Sequence, residues 1–504
     1  MHLIMLPTNV PWLSLLWLSL VVPVLTIICI PSEHKQAIRW VGTIFAGLSL
    51  VLALAIFFGY DSARGGYQFL EQLDWIPQLG ISYLLGVDGI NTPMLLLNGI
   101  VIFAGALMSW NINERVKEYW VLLLLLAVGV YGVFVALDLF LLFVFYELAV
   151  LPMYILIGVW GSTRKEYGAM KLTLYLMGGS ALILIGMLAV YLGSGLRTFD
   201  LLILAENVNF ARQFQSLFFL PFFTGFAVLA GMFPFHTWSP TGHVAAPTAV
   251  SMLHAGVLMK LGAYGCLRVA MMLMPQGAAD WLWAIAALTL INVVYGALIA
   301  LTQRDLKFMI GYSSVSHMGL VLIGLASANE TGLTGAVLQM FAHGVMTALF
   351  FAVVGRMVYD RTHTRMLPEL GGLAKVMPFA AWMFVIAGLS SMGMPGLAGF
   401  WAELNIFLGV WERFPIVAVL AAISIPITAA YILRALYQVF FSEANNEAYA
   451  HLPKLTWQEY SGALLLAAVL IIVGLYPALL SDMIHSSAAE VVQTMRAATL
   501  ALNQ

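Results

Sequence analysis

The chain has 504 residues, 62% of them hydrophobic and only 9% charged, with a mean hydropathy of +0.95. That balance excludes a water-soluble domain and reads as a polytopic membrane protein, while a formal net charge of −2 argues against a nucleic-acid partner. At ~20 residues per crossing plus short loops, the length accommodates about fourteen helices.

In chain order, apolar runs fall at 11–30, 37–58, 91–109, 119–137, 139–160, 169–193, 215–235, 245–273, 281–302, 305–326, 331–357, 376–409, 414–440 and 459–480. Residues 11–30 follow no Lys or Arg and precede no A-x-A site, so they read as a first span and not as a signal peptide. The polar loop 59–90 is expected outside the lipid, with a short hairpin around Val87-Asp88-Gly89. Two runs are interrupted: the seventh by Gly231 and Pro234, and the twelfth, longer than one bilayer, by Gly393-Met394-Pro395-Gly396. Residues 481–504, with Met483, Ile484, Val491, Val492, Met495 and Leu500, fit an interfacial amphipathic helix or a frayed terminus. Cys29 and Cys266 offer neither a thiolate cluster nor a disulfide framework, so no metal or redox cofactor is expected on this chain.

Alternating the loops between two sides places fifteen Lys and Arg on one face and six on the other. By the positive-inside rule the first face is cytoplasmic, and both termini lie opposite, which requires an even number of spans. The two broken runs sit five spans apart. Paired interruptions point to an internal repeat with a transport path at its interface, and an odd offset inverts the second copy. The resulting division is 1–118 for three N-terminal helices and a loop, 119–273 for the first repeat, 281–440 for the inverted second repeat, and 441–504 for the last span and amphipathic segment. A Pro kink without further role is the bland alternative at either break alone.

Lys260 lies mid-span in the eighth run, and Glu147, Glu403, His317 and His343 are embedded in other apolar runs. Ionisable groups at bilayer depth cost several kcal/mol and usually mark an ion or proton path, the alternative being structural ion pairs between helices. Gln339, His343 and Thr347 recur at i, i+4, i+8 as one polar stripe, and Ser313 and His317 repeat the pattern one span earlier.

Several stretches together resemble one family. They are Phe145-Tyr146-Glu147-Leu148, Pro234-Phe235-His236-Thr237-Trp238, Ala246-Pro247-Thr248, Leu258-Met259-Lys260-Leu261-Gly262, Tyr312-Ser313-Ser314-Val315-Ser316-His317, Ala342-His343-Gly344 and Gly393-Met394-Pro395-Gly396. The family is the antiporter-like membrane subunits of respiratory complex I, shared with Mrp-type cation/proton antiporters. The resemblance covers about residues 80–440. Length, and Glu403 where other branches are expected to carry lysine, point to the M-type branch, the counterpart of mitochondrial chain 4. The resemblance implies a non-redox, proton-pumping subunit of a quinone oxidoreductase in a bacterial inner or equivalent energy-coupling membrane, with L-type and N-type neighbours. It also implies a proton path over Glu147, Lys260, His317, His343 and Glu403.

One departure stands out. The family's seventh-span lysine falls on Leu229, no lysine occurs between 172 and 259, and Thr241 replaces an acidic residue just before His243. Glu147 therefore lacks its expected partner. His254, six residues before Lys260, is about 120° around and ~9 Å along an α-helix, and is the candidate substitute, with His236 and His243 as further tentative members. A packing role for a lone helix histidine is the alternative. Three functions remain open: a proton-translocating complex I-type subunit, a subunit of a multi-chain cation/proton antiporter, and a scaffold that has lost pumping.

Overall fold

The computed structural model describes residues 6–7, 10–208, 210–443, 449 and 451–501. The chain is a helical bundle built from α1 (Trp12–Cys29), α2 (Lys35–Gly59), α3 (Asn91–Met108), α4 (Val116–Val135), α5 (Leu139–Trp160), α6 (Lys165–Ser194) and the short α7 (Leu201–Asn207). It continues with α8 (Arg212–Ala230), α9 (Trp238–Ala245), α10 (Thr248–Met271), α11 (Pro275–Thr302), α12 (Leu306–Ser327), α13 (Glu330–Thr362), α14 (Pro378–Ser391), α15 (Ala398–Arg413), α16 (Pro415–Phe441), α17 (Trp457–Leu475) and α18 (Ala478–Ala501). Thirteen helices among the described residues are long and apolar enough to cross a membrane, and the shorter α14 continues through a break into α15 as a further crossing.

Burial sorts these helices. The apolar windows of α10 and α13 are completely enclosed by neighbours, whereas α1, α6 and α16 are mostly uncovered. With no solvent in a bilayer core, only the enclosed helices can carry polar side chains without facing lipid. Lys260 and His343 sit on those two helices.

Loop contacts divide the connections into the two faces expected from alternation. On the basic face, Lys35 and Arg39 reach Asn113, Asn111 reaches Asp360, Arg365 reaches Asp305 and Val244 O, and Arg434 reaches Gln303 O. On the other face, Ser82 binds Asp138, Gly89 binds Ser487, and Arg268 pairs with Asp88. Two helices begin in matching ways on opposite faces. Asp138 caps α5 by accepting from Phe140 N and Leu141 N, and Asp305 caps α12 by accepting from Lys307 N and Phe308 N. Each aspartate also forms an isolated antiparallel bridge, Asp138 with Asp200 and Asp305 with Met366, to the segment leading toward a broken helix.

Three expectations need correction. The loop after α2 does hold a hairpin, but its strands are β1 (Gln68–Ile76) and β2 (Ile81–Val87), and the turn is Pro77–Gly80. Pro77 and Gly80, the latter at φ 66, supply the turn chemistry, while Val87-Asp88-Gly89 leads into α3. The hairpin carries Glu71, whose carboxylate accepts from Leu13 N and Ser14 N and so satisfies the open N-terminus of α1. Second, the seventh crossing does not stop near 235: it resumes as α9, an eight-residue helix that lies outside the apolar run because Ser239, Pro240 and Thr241 lower its hydropathy. Third, α18 is a helix, but Met483, Ile484, Val491 and Val492 are buried against α11 and α13, so its apolar stripe is covered by protein. The side chain of Leu500 lies outside the described residues.

Candidate functional site

The eighth crossing is α-helical only in part. Turns of π-helix at His254–Leu258 and Cys266–Met271 flank a short α segment, Met259–Gly265, that carries Lys260. In the first widened turn Met259 N–H goes to His254 O, so the Ala255 carbonyl loses its ordinary donor. Lys260 Nζ takes its place at 2.5 Å and reaches His343 Nδ1 at 2.7 Å. A fully buried amine is thereby held by a carbonyl and an imidazole.

From His343 the polar groups continue across three helices. The rings of His343 and His317 are 5.3 Å apart at their centroids. His317 Nε2 lies 3.0 Å from Ser391 Oγ, and its Nδ1 lies 3.2 Å from Gln339 Nε2 and 3.5 Å from Glu403 Oε1. Ser391 ends α14 and Glu403 lies in α15, so the break in the twelfth crossing brings both onto the imidazole. Gly393 sits in that break at φ 67, and a Cβ there would meet Glu403 Oε2 at 2.8 Å. Glycine is required for the turn and for the carboxylate's position. Thr347, the third member of the α13 stripe, bonds the His343 carbonyl on its own helix.

A second cluster lies around the seventh crossing's break. His254 and His243 have ring centroids 4.2 Å apart, Trp238 stacks on His254 at 5.1 Å, and Ser239 Oγ is 2.9 Å from His243 Nε2. Both histidines are fully buried, and neither ring nitrogen of His254 has a hydrogen-bond partner among the described residues. His254 faces α9, not lipid. His236 stands apart from this pair, against Phe233 at 5.7 Å and Tyr295 at 5.5 Å.

Glu147 is not brought to either cluster. Its Oε1 is buried without a hydrogen-bond partner, and it enters no ion pair among the described residues. Leu229 is fully buried near the end of α8, where its backbone would lie 2.9 Å from a Cβ at Gly262 of α10.

Sequence reasoning missed Asn292, Ser391 and Tyr431, and met Trp238 only as part of a motif without a role. Asn292 of α11, fully buried, accepts from Phe233 N at 2.5 Å and donates to Gly231 O at 2.8 Å, satisfying backbone that the break sets free. Trp238 donates to Val228 O at 2.9 Å and stitches α9 back to α8. Tyr431 holds Ser313 at 2.8 Å, one turn from His317. An asparagine inside an apolar run was the available signal for the first; the others are set by tertiary contacts.

Residues 136–428 match the family described as "NADH:quinone oxidoreductase/Mrp antiporter, TM". The chain is similar to "NADH-quinone oxidoreductase subunit M" of Rhodobacter capsulatus, 37% identical over 479 residues, covering 93% of this chain and 92% of that one. Its structure is similar to a chain of the respiratory complex I from Thermus thermophilus with bound NADH. That match has a TM-score of 0.88 at 29% identity and covers 96% of this chain and 99% of that one. A chain of the Mrp complex from Dietzia sp. DQ12-45-1b shares the fold, with a TM-score of 0.83 at 22% identity over 96% and 99% of the two chains. With a family match over more than half its length and a relative that spans nearly all of it, this chain belongs to the NADH:quinone oxidoreductase/Mrp antiporter transmembrane family.

Proposed function

We propose that this chain is the M-type, proton-translocating membrane subunit of a complex I-type quinone oxidoreductase, seated between L-type and N-type neighbours in a bacterial inner or equivalent membrane. The observation that carries the reading is the file Lys260–His343–His317–Glu403 through the apolar interior, with atom–atom distances of 2.7 Å at its first step and 3.5 Å at its last and 5.3 Å between the centroids of the two imidazoles. Electron transfer belongs to other subunits; this chain moves protons and needs no cofactor.

The chemistry follows from the contacts. A lysine amine between a carbonyl and an imidazole can pass a proton to the imidazole, and histidine is suited to carry it onward. His317 has two bonding arrangements. Neutral, it donates from Nε2 to Ser391 and accepts at Nδ1 from the Gln339 amide. Protonated, Nδ1 donates to Glu403, and a flipped Gln339 presents the Oε1 that otherwise lacks a partner. Glu403, beside the broken helix, then receives the proton for release.

The paired aspartate caps on opposite faces support two inverted repeats at 119–273 and 281–440, and the basic excess supports a cytoplasmic assignment for the face of Arg365 and Lys307, with both termini opposite. The second reading, a subunit of a multi-chain cation/proton antiporter, is favoured by the Mrp fold likeness. A test uses inverted membrane vesicles from cells with and without this chain. NADH-driven acidification that disappears with the chain supports the proposal. Unchanged acidification, together with a chain-dependent sodium flux lacking any electron donor, would support the antiporter instead.

A further inference from the structure

A cleft of about 550 Å³ opens on the less basic face, where the start of α11, the α12–α13 turn and the end of α15 meet α18. Its inner wall is aliphatic, formed by Leu282, Val492 and Met495, and Arg413 and Arg496 stand at its rim. The volume lies in the ~300–1,000 Å³ range of small-molecule sites. The cleft also sits near the edge of the bilayer. It is built from the ends of membrane crossings, and beside it Trp283 packs edge-on against Phe414 at 5.0 Å while remaining 63% exposed. Exposed tryptophan near a helix end marks the headgroup level.

Both arginines are exposed, and neither enters an ion pair among the described residues. Elsewhere on this face Arg212 holds Asp280 and Arg268 holds Asp88. Arg413 Nη1 reaches Ser327 O at a long 3.4 Å, and its guanidinium lies 5.7 Å from the Phe414 ring centroid. The carboxylate at the rim, Glu412, accepts from the Asn329 amide at 3.1 Å and not from a guanidinium. Two cations against one carboxylate leave the rim with an excess positive charge. Unpaired guanidiniums above an aliphatic wall fit a ligand with an anionic head and a hydrocarbon body.

We propose that this cleft binds an anionic phospholipid, with its phosphate between Arg413 and Arg496 and one acyl chain along Leu282 toward Trp283. The phosphate supplies the counter-charge that both guanidiniums lack, and guanidinium suits bidentate contact with phosphate oxygens. The bilayer presents such a headgroup at the depth of the cleft. A bound lipid would fasten α18 to the ends of α11, α12 and α15. The inference does not rest on proton translocation, since no residue of the Lys260–Glu403 file lines the cleft. A purely structural Arg413, serving the last carbonyls of α12, would leave Arg496 without a part.

The test reconstitutes the assembled complex in phosphatidylcholine vesicles that contain phosphatidylglycerol with a photoactivatable diazirine in one acyl chain. Mass spectrometry of the peptides then locates the attached lipid. Labelling should concentrate on α11 and α18 beside the cleft and exceed that by phosphatidylcholine bearing the same chain by about tenfold, the scale of two arginine contacts to an anionic lipid. Arg413→Gln with Arg496→Gln should abolish that excess. Arg496→Gln alone should lower it several-fold, which a helix-end role for Arg413 would not produce. Arg64→Gln with Arg197→Gln removes as much charge from the same face outside the cleft and should leave the excess intact. Ala279→Trp fills the cleft with every charge kept and should also remove the excess; it decides alone if the double arginine variant fails to assemble. Equal labelling by the two lipids, or an excess that survives these substitutions, would overturn the inference and leave ordinary bilayer contact. Absence of label from these peptides would overturn it as well, because another subunit then covers the cleft.

Discussion

Lys260 and His343 share a 2.7 Å hydrogen bond across the α10–α13 interface, and that contact joins an amine to a base without a carboxylate between them. Such an arrangement gains little as a structural tie, because burying an amine costs several kcal/mol that one imidazole does not return. The transport role proposed above accounts for its presence.

Lys260→Ala should therefore leave the chain inserted and assembled while reducing proton pumping by more than ~tenfold. Pumping is read from dye quenching in inverted vesicles, and assembly from the native mass of the complex. A correctly assembled Lys260→Ala complex that pumps at the normal rate removes Lys260 from the path.

Glu403 tests the far end. Glu403→Asp keeps an ionisable group near His317, 3.5 Å away in the native chain, whereas Glu403→Gln keeps only shape and hydrogen bonding. Gln should block release by about tenfold or more and Asp should retain substantial rate. Equal rates for the two variants would make Glu403 structural. Gly393→Ala should resemble the Gln variant, since its Cβ would displace the carboxylate from 2.8 Å.

Asn292 makes a stability prediction. Asn292→Leu removes both partners of the freed backbone at Phe233 N and Gly231 O, and each orphaned group costs ~1–3 kcal/mol. Asn292→Asp keeps the acceptor and should lose about half as much. Thermal unfolding of the purified complex should rank the three chains wild type, Asp, Leu; a Leu variant as stable as wild type would mean that other groups close the break.

The spans, both breaks and the buried ionisable residues were legible because hydropathy and charge are read one segment at a time, and Pro and Gly mark where a helix must stop. What could not be read is where partners meet. The spacing of His254 from Lys260 assumed an α-helix, but the π turn between them widens the helix and leaves Lys260 on the His343 side while His254 meets Trp238 and His243. The hairpin turn was misplaced because Asp88-Gly89 looks like turn chemistry, yet Asp88 pairs with Arg268 and Gly89 lies under the backbone of α18. Those are contacts between residues 180 and nearly 400 positions apart, beyond any local pattern.

The last prediction concerns the two residues nearest the missing lysine. Glu147 has a buried oxygen without a partner among the described residues, and Leu229 is apolar and fully enclosed, so no ion pair is present there to be switched on and off. His254 is enclosed with two open ring nitrogens beside His243. Replacing Glu147 with Gln should accordingly change pumping by less than about twofold, because it removes a carboxylate that holds no ion-pair partner among the described residues. His254→Leu fills similar space without a proton-accepting nitrogen and should slow pumping by about tenfold or more. The two variants are compared in the same vesicles at matched assembly. If Glu147→Gln is as inactive as Lys260→Ala while His254→Leu pumps normally, the inlet runs along α5 after all, and the histidine pair only packs α9 against α10.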